Sequence, residues 1–228
     1  MEIQVQHRPA ATAARVSLEA GEGFTAEVGA MIAMSTGLQV ATTSRTRGGK
    51  GGLLQGVRRL FAGESFFLNH FTATANAQEL LLGPAMAGDI VHHRLDRSTL
   101  VVQGSSWLAC SSGIEIDTTW QGLTSALFSG ESLFWVKCSG SGDLLITSFG
   151  AIYEVEVTDE YVVDSGHIVA FEETLSFRVG KATENWLGSF LSGEGLVCKF
   201  SGRGRLYCQT HNPRSFGSLV GPLLKPRA

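Results

Sequence analysis

Three carboxylates in this chain stand in nearly the same local sequence, which makes them the first residues to consider for acid, base or nucleophile chemistry. The three pairs are Gly63-Glu64, Gly130-Glu131 and Gly193-Glu194. A catalytic carboxylate needs a pKa set apart from those of its siblings, and therefore surroundings unlike theirs. Three equivalent copies instead favour a structural role, in which the glycine bends the chain and the glutamate caps backbone N–H groups.

The histidines and the remaining motifs give no ligand set and no catalytic constellation. His92 and His93 are adjacent, so on a strand their side chains point to opposite faces and do not easily chelate one ion together. The sequence has no Gly-x-Ser-x-Gly elbow, Walker loop or Rossmann fingerprint. We therefore predict no catalytic residue, no metal and no cofactor. A hydrolase or metal enzyme stays the less favoured alternative, because sites assembled from distant residues leave no local motif.

A cluster of positive charge between residues 45 and 59 is the second candidate for chemistry. Its cations are Arg45, Arg47, Lys50, Arg58 and Arg59, with no acidic residue among them. Such a stretch is either a solvated glycine-rich loop or a contact surface for an acidic partner, RNA, an anionic membrane or a small ligand. The stretch contains no aromatic side chain, which argues against stacking on single-stranded bases.

The composition bounds the class of protein. Of 228 residues, 43% are hydrophobic and only 17% are charged, so a packed core is expected and disorder is not. The 28 glycines suit short strands joined by tight turns, where positive φ is needed. A formal net charge of −3 is too small to indicate a polyanion partner for the whole molecule.

The cysteines and the N-terminus indicate the compartment. The four cysteines include no Cys-x-x-Cys pair, which is typical of small buried side chains in a reducing environment. The N-terminus has no apolar signal segment, and no apolar run approaches the ~20 residues needed to cross a bilayer. We therefore expect a soluble cytoplasmic protein without a transmembrane segment.

Short strands in a repeated arrangement must position these residues. Residues 15–18 alternate polar and apolar side chains with period two, and similar segments recur along the chain. The Gly-Glu pairs are 130 − 63 = 67 and 193 − 130 = 63 residues apart. This recurrence predicts three units, each a short amphipathic helix leading into a β-hairpin, near residues 60–82, 127–149 and 190–210. The predicted turns of the second and third hairpins are residues 140–143 and 202–204.

Several segments resemble the altered-inheritance-of-mitochondria family of conserved proteins of unknown function. The matching segments are residues 29–34, 51–54, 63–67, 88–91 and 130–134, which are spread over nearly the whole chain. The resemblance implies a fold like that of the tryptophan-RNA-binding attenuator protein, triplicated within one chain. It brings no catalytic residues, and the attenuator protein's binding of tryptophan and RNA as a ring is fold-level analogy that transfers no function.

The sequence therefore predicts one all-β domain over residues 1–228. Its expected architecture is a triplicated attenuator-like β-sandwich or double-stranded β-helix, with pseudo-threefold repeats and a few short helices. The expected function is a non-enzymatic binding or scaffold module, whose partner is another protein or a second copy of the chain. The alternative is a nucleic-acid or small-ligand binder that uses residues 45–59.

Overall fold

The chain folds almost entirely into β-strands. A computed structural model describes residues 1–46, 65–118, 135–181 and 196–224. These ranges contain seventeen β-strands, several short 3₁₀ turns and one α-helix. The predicted all-β class is confirmed. The amphipathic helices predicted before the Gly-Glu pairs lie outside the described residues.

The strands follow one another with short connections. The first seven are β1 (Glu2–Gln6), β2 (Ala13–Leu18), β3 (Gly23–Glu27), β4 (Met31–Met34), β5 (Leu38–Thr46), β6 (Ser65–Ala73) and β7 (Gln78–Leu82). The next four are β8 (Ile90–Gln103), β9 (Trp107–Ser111), β10 (Ile114–Asp117) and β11 (Trp135–Thr147). The last six are β12 (Ile152–Val157), β13 (Glu160–Asp164), β14 (Ile168–Glu172), β15 (Ser176–Lys181), β16 (Leu196–Ser201) and β17 (Gly204–Gln209).

The described strands form three sheets. A four-stranded sheet has the order β1-β2-β7-β4, and a three-stranded sheet has the order β13-β16-β15. A ten-stranded sheet joins them in the order β12-β17-β14-β8-β11-β9-β3-β6-β5, with β10 paired to β11. Every strand pair between these elements is antiparallel, as in the long ladder of β8 with β11.

The predicted hairpins are wrong in their pairing. β6 and β7 do not pair with each other, nor do β16 and β17, because the two members lie in different sheets. The second predicted hairpin, near residues 127–149, is instead one continuous strand, β11, whose register with β8 shifts between Gly140 and Ser141. Gly140, with φ 126°, therefore forms a bulge inside β11 instead of reversing the chain. Gly202, with φ 111°, lies where the chain passes from the three-stranded sheet (β16) to the ten-stranded sheet (β17).

Alternating side chains of the strands form the core. In β2 the buried positions are Ala14, Val16 and Leu18, which confirms the period-two pattern read from this segment. The buried side chains form three apolar clusters, and Trp107 is the largest side chain that is fully buried among the described residues. All four cysteines are buried and none forms a disulfide bond, as their scattered positions predict. The body is thus held mainly by apolar side chains between sheets.

Helix α1 (Pro213–Val220) follows the last strand and is itself followed by a 3₁₀ turn at Gly221–Leu223. It begins at an Asn212 cap, whose side-chain oxygen accepts hydrogen bonds from the backbone N–H groups of Arg214 at 2.9 Å and Ser215 at 3.4 Å. Phe216 attaches the helix to the sheet body through an edge contact with Phe149, with ring centroids 5.2 Å apart. Within the described ranges, no helix has the length and apolar character needed to span a bilayer.

Candidate functional site

Most residues singled out in the sequence fall outside the described part of the chain. Arg45 lies in β5, where its backbone is opposite Phe66 of β6. The other four cations, Arg47, Lys50, Arg58 and Arg59, and the three Gly-Glu pairs are among the undescribed residues. Their proposed roles therefore stay predictions, and the candidate site must be sought in the described body.

A partly open cavity of about 150 Å³ is lined by residues that are distant from one another in the chain. Its walls come from the end of β3, the connection from β7 to β8, the end of β11 and the segment before α1. Its polar lining consists of Glu27, Ser105, Ser106, Thr147, Ser148 and Gln209. Its apolar lining consists of Pro84, Ala85, Met86, Phe149 and Pro213.

Glu27 is the titratable group of this lining. It is the last residue of β3, and its side chain is largely buried. Among the described residues, its carboxylate has no hydrogen-bond partner and no ion-pair partner. Burial without compensation disfavours the charged form and raises the pKa of Glu27 to about 7. A carboxylate left in this state attracts any cation that can reach it.

Three hydroxyl groups of the same lining donate their protons to residues outside it. Ser105 Oγ donates to Gln103 Oε1 at 2.5 Å, and Thr147 Oγ1 donates to the carbonyl oxygen of Asp89 at 3.0 Å. Ser148 Oγ donates to the carbonyl oxygen of Gly150 at 2.6 Å. A hydroxyl has one proton and two lone pairs, so these oxygens can still accept hydrogen bonds. Ser148 Oγ already accepts one from the backbone N–H of Asp89 at 3.2 Å, which leaves it one lone pair.

Gln209 forms a fixed wall of the cavity. Its amide nitrogen donates to the carbonyl oxygen of Gly166 at 2.8 Å, and its amide oxygen accepts from the backbone N–H of Phe149 at 2.8 Å. Both ends of the amide are thereby held by backbone groups of different segments. The cavity is therefore bounded by rigid parts of the fold and lined by acceptors around one carboxylate.

The chemistry open to this lining depends on its single titratable side chain. General acid–base or nucleophilic catalysis uses groups that act as a pair, with pKa values set apart by their surroundings. Glu27 has no second titratable side chain beside it in the lining of the cavity. Among the described residues, no three His, Cys, Asp or Glu side chains are grouped to hold a metal ion.

A second concave surface, of about 500 Å³, lies between β8, β14 and the start of β17. Its charged groups already have partners in the groove or beside it. Arg205 Nε donates to Glu172 Oε1 at 2.7 Å, and the Arg205 backbone N–H donates to Glu172 Oε2 at 2.9 Å. Glu173 forms an ion pair with Lys137, and Arg94 Nη1 lies 3.0 Å from Asp143 Oδ1. The charges of this groove are thus compensated, unlike that of Glu27.

The histidine pair behaves as its position on a strand predicts. His92 is exposed and pairs with Asp143, with 2.8 Å between Nε2 and Oδ1, whereas His93 is buried. His93 Nδ1 shares a hydrogen bond of 3.2 Å with the Tyr207 hydroxyl. Burial and the positive charge of Arg205 lower the pKa of His93, and burial raises the pKa of Tyr207 to about 12. Both groups are therefore uncharged near neutral pH.

The sequence carried little signal for the Glu27 cavity. Glu27 ends an alternating strand segment, where an acidic residue is normally a solvated one. Ser105 lies in a 3₁₀ turn between β8 and β9, whereas Thr147 and Ser148 lie at the end of β11, about forty residues further along the chain. Only the sheet topology brings these residues together, and no local spacing encodes that convergence.

Comparison with known proteins identifies relatives of the whole body. A family model described as mitochondrial biogenesis AIM24 matches residues 3–211. An uncharacterised protein of Streptococcus pyogenes serotype M6 is 27% identical over 209 residues, which are 90% of this chain and 84% of that protein. The crystal structure of SPYM3_0169 from Streptococcus pyogenes has a TM-score of 0.76 at 24% identity, covering 98% of this chain and 99% of that one. At that identity the likeness supports the fold alone.

Proposed function

This chain belongs to the mitochondrial biogenesis AIM24 family, and we propose its function from the Glu27 cavity. The protein is a non-enzymatic binding module that receives a small primary ammonium group there. The ammonium belongs either to a free amine or to a side chain of a partner protein.

The observation that carries this proposal is the direction of the hydroxyl hydrogen bonds. Ser105, Thr147 and Ser148 each donate away from the cavity, so the cavity offers lone pairs beside the Glu27 carboxylate. An ammonium group has three donors and no acceptor, and it carries the charge that neutralises the carboxylate. A neutral or anionic ligand would leave Glu27 uncompensated.

The size of the cavity limits the ligand. A volume of about 150 Å³ admits a methylammonium or ethylammonium group but not a large organic cation. The apolar wall, which includes Met86 and Phe149, provides contact for a short alkyl stem. A tetramethylammonium ion has the charge but lacks N–H donors, so we expect it to bind poorly.

A direct test is calorimetric titration of the protein with methylammonium chloride. We expect saturable binding to the wild-type chain and a loss of at least about tenfold in affinity, about 1.4 kcal/mol, in Glu27→Gln. Affinity should rise as the pH increases through about 7, because Glu27 must lose its proton while the amine keeps its own.

Two controls make this test specific. Glu156→Gln removes a carboxylate from an exposed position of β12 and should bind methylammonium like the wild type. Tetramethylammonium chloride at the same concentration controls for ionic strength. Equal binding of methylammonium to wild-type protein and Glu27→Gln, with both folded, would refute the proposed site.

The finer fold prediction, an internal triplication, is supported by the strand pairing. Residues 13–82, 90–147 and 152–209 are the proposed first, second and third units. The first strand of each unit pairs with its last: β2 with β7, the first half of β8 with the second half of β11, and β12 with β17. The next strand inward pairs likewise: β3 with β6, the second half of β8 with the first half of β11, and β13 with β16.

Local details of the three proposed units agree as well. A third strand pairs with the last strand of each unit, namely β4 with β7, β9 with β11 and β14 with β17, and each pairing has one register shift. At one equivalent position in each unit, a backbone N–H donates to a side-chain oxygen at a distance of 2.9 Å. These bonds run from Glu79 to Ser35, from Asp143 to Ser111 and from Arg205 to Glu172. Each proposed unit thus consists of two antiparallel lengths of chain that stay paired with each other as they bend. This pairing supports the proposed double-stranded β-helix arrangement.

The alternative site at residues 45–59 stays a separate prediction. A nucleic acid or an anionic membrane that binds Arg45, Arg47 and Lys50 would do so with strong salt dependence. A cytoplasmic location is likewise proposed from the sequence alone. Neither idea depends on the Glu27 cavity.

A further inference from the structure

The proposed units are joined to each other by one repeated strand pairing. Between the first and second units, β3 pairs with β9, with Phe24 opposite Ser111 and Ala26 opposite Ala109. Between the second and third units, the second half of β8 pairs with β14 in the same way. Each joint therefore unites the second strand of one unit with the third strand of the following unit.

Applying this rule to the whole chain leaves two strands without that pairing. β13 is the second strand of the third unit, and β4 is the third strand of the first unit. Among the described residues, β13 pairs on one side with β16, and β4 pairs on one side with β7. Other edge strands, such as β5, β10 and β15, are edges in every unit, whereas β4 and β13 have paired counterparts.

The exposure of β4 and β13 differs sharply from that of those counterparts. Ile32 in β4 is 57% exposed, while Leu108 of β9 and Val169 of β14, at the same position, are 1% and 0% exposed. In β13, Tyr161 is 40% exposed, while Phe24 and Leu100 are 1% and 0% exposed. Proteins normally protect edge strands with charge, so apolar side chains here indicate surfaces that a partner covers.

We propose that β13 of one copy of this chain pairs antiparallel with β4 of a second copy. The partner is a second copy because the joint inside the chain already shows which strand fits each edge. An open groove of about 440 Å³ runs beside β13, lined by Tyr153, Tyr161 and Val162, and offers room for the incoming strand. The contact is heterologous, so it extends to a closed ring or to a filament. This assembly is independent of amine binding at Glu27.

The internal joints also fix the register of the contact between copies. Thr25 lies opposite Cys110, and Val101 lies opposite Phe171. The corresponding positions at the free edges are Val162 and Met34. Directly opposed residues of an antiparallel pair have Cα atoms about 4.5–5.5 Å apart, which suits a disulfide.

The first test is therefore cross-linking between two singly substituted proteins. Val162→Cys mixed with Met34→Cys should form a disulfide-linked dimer under mild oxidation, and neither protein alone should do so at a comparable rate. Both positions are exposed, and the native cysteines are buried, so the background is low. Met31→Cys, on the same strand but out of register, is the matched control and should cross-link several-fold more slowly.

Sedimentation velocity, which needs no introduced cysteine, gives an independent measurement of self-association. The wild-type chain should sediment above the mass of the 24.3 kDa monomer, increasingly so with concentration. Ile32→Lys or Val162→Lys should return it to the monomer, whereas Val40→Lys, at an exposed position of β5, should not. A wild-type protein that stays monomeric throughout, or cross-linking that is equal for the Met34→Cys and Met31→Cys partners, would overturn the proposal.

Discussion

Two carboxylates of this protein, those of Asp89 and Glu27, differ in whether a neighbouring cation compensates their charge. Asp89 is compensated, because Arg8 donates to both of its oxygens, at 2.8 and 2.7 Å, and Thr12 Oγ1 donates at 3.2 Å. Burial raises the pKa of Asp89, but the hydrogen bonds and charge of Arg8 outweigh it and the net pKa is lowered. Glu27 has no such partner among the described residues, and burial alone sets its pKa. The difference identifies Glu27 as the carboxylate with unmet demand for a cation.

The uncompensated carboxylate should make stability depend on pH. The pKa of Glu27 is about 7 in the folded chain and near the ordinary value of 4.5 when unfolded. The folded state therefore binds the proton more tightly, and its contribution to stability is lost as the pH rises through about 7. Glu27→Gln should remove this loss and gain at most about 3 kcal/mol in unfolding free energy above pH 7.

Urea unfolding of wild type and Glu27→Gln at several pH values measures this effect. The difference between the two proteins should be small near pH 4.5 and should grow between pH 4.5 and 7. Saturating methylammonium should stabilise the wild type alone. A difference that is constant with pH would show that Glu27 has an ordinary pKa in the folded chain.

At the scale of elements, the bent ladder of β8 with β11 explains why the predicted hairpins are wrong. The sequence around Gly140 has the glycines and the aspartate of a tight turn, and local turn chemistry favours a hairpin there. Residues on both sides of Gly140 are already paired with β8. Tertiary pairing therefore uses the glycine for a bulge, which a reading of local turn signals does not anticipate.

Gly140 should be intolerant of a side chain. Its φ of 126° is unfavourable for other residues, and an added Cβ would collide with the carbonyl oxygen of Gly113. We expect Gly140→Ala to lower the unfolding free energy by about 2 kcal/mol or more. Chemical denaturation measures the change. Gly180→Ala, in β15 with open space around the added Cβ, should change the stability by less than about 1 kcal/mol.

Other elements were predictable from local pattern. The alternation in β2 gave the buried face of that strand correctly, because one face of the sheet packs on the core. The segments 88–91 and 166–169, which look alike in sequence, occupy different places: the first enters β8 and the second follows a 3₁₀ turn into β14. Similar residues at a turn–strand junction do not establish equivalent positions in a repeated fold.

At the scale of the whole molecule, composition and family resemblance predicted the all-β class and the family membership. The resemblance covered segments from end to end, and the family match extends over residues 3–211. The candidate site could not be predicted in this way. Glu27, Ser105 and Thr147 come from separate sections of the chain, and their convergence depends on how the sheets join. The surfaces proposed for function therefore arise from the arrangement of units and not from any one motif.

We propose that Glu27 is an uncompensated carboxylate that binds an ammonium group. Its side-chain ¹³C resonance, followed by NMR during a pH titration with and without methylammonium, tests this most directly. We expect the titration of Glu27 to have its midpoint at about pH 7 in the free protein, and we expect that midpoint to move to lower pH when methylammonium is added. A midpoint near the ordinary value of 4.5, or one near 7 that methylammonium does not move, would contradict it.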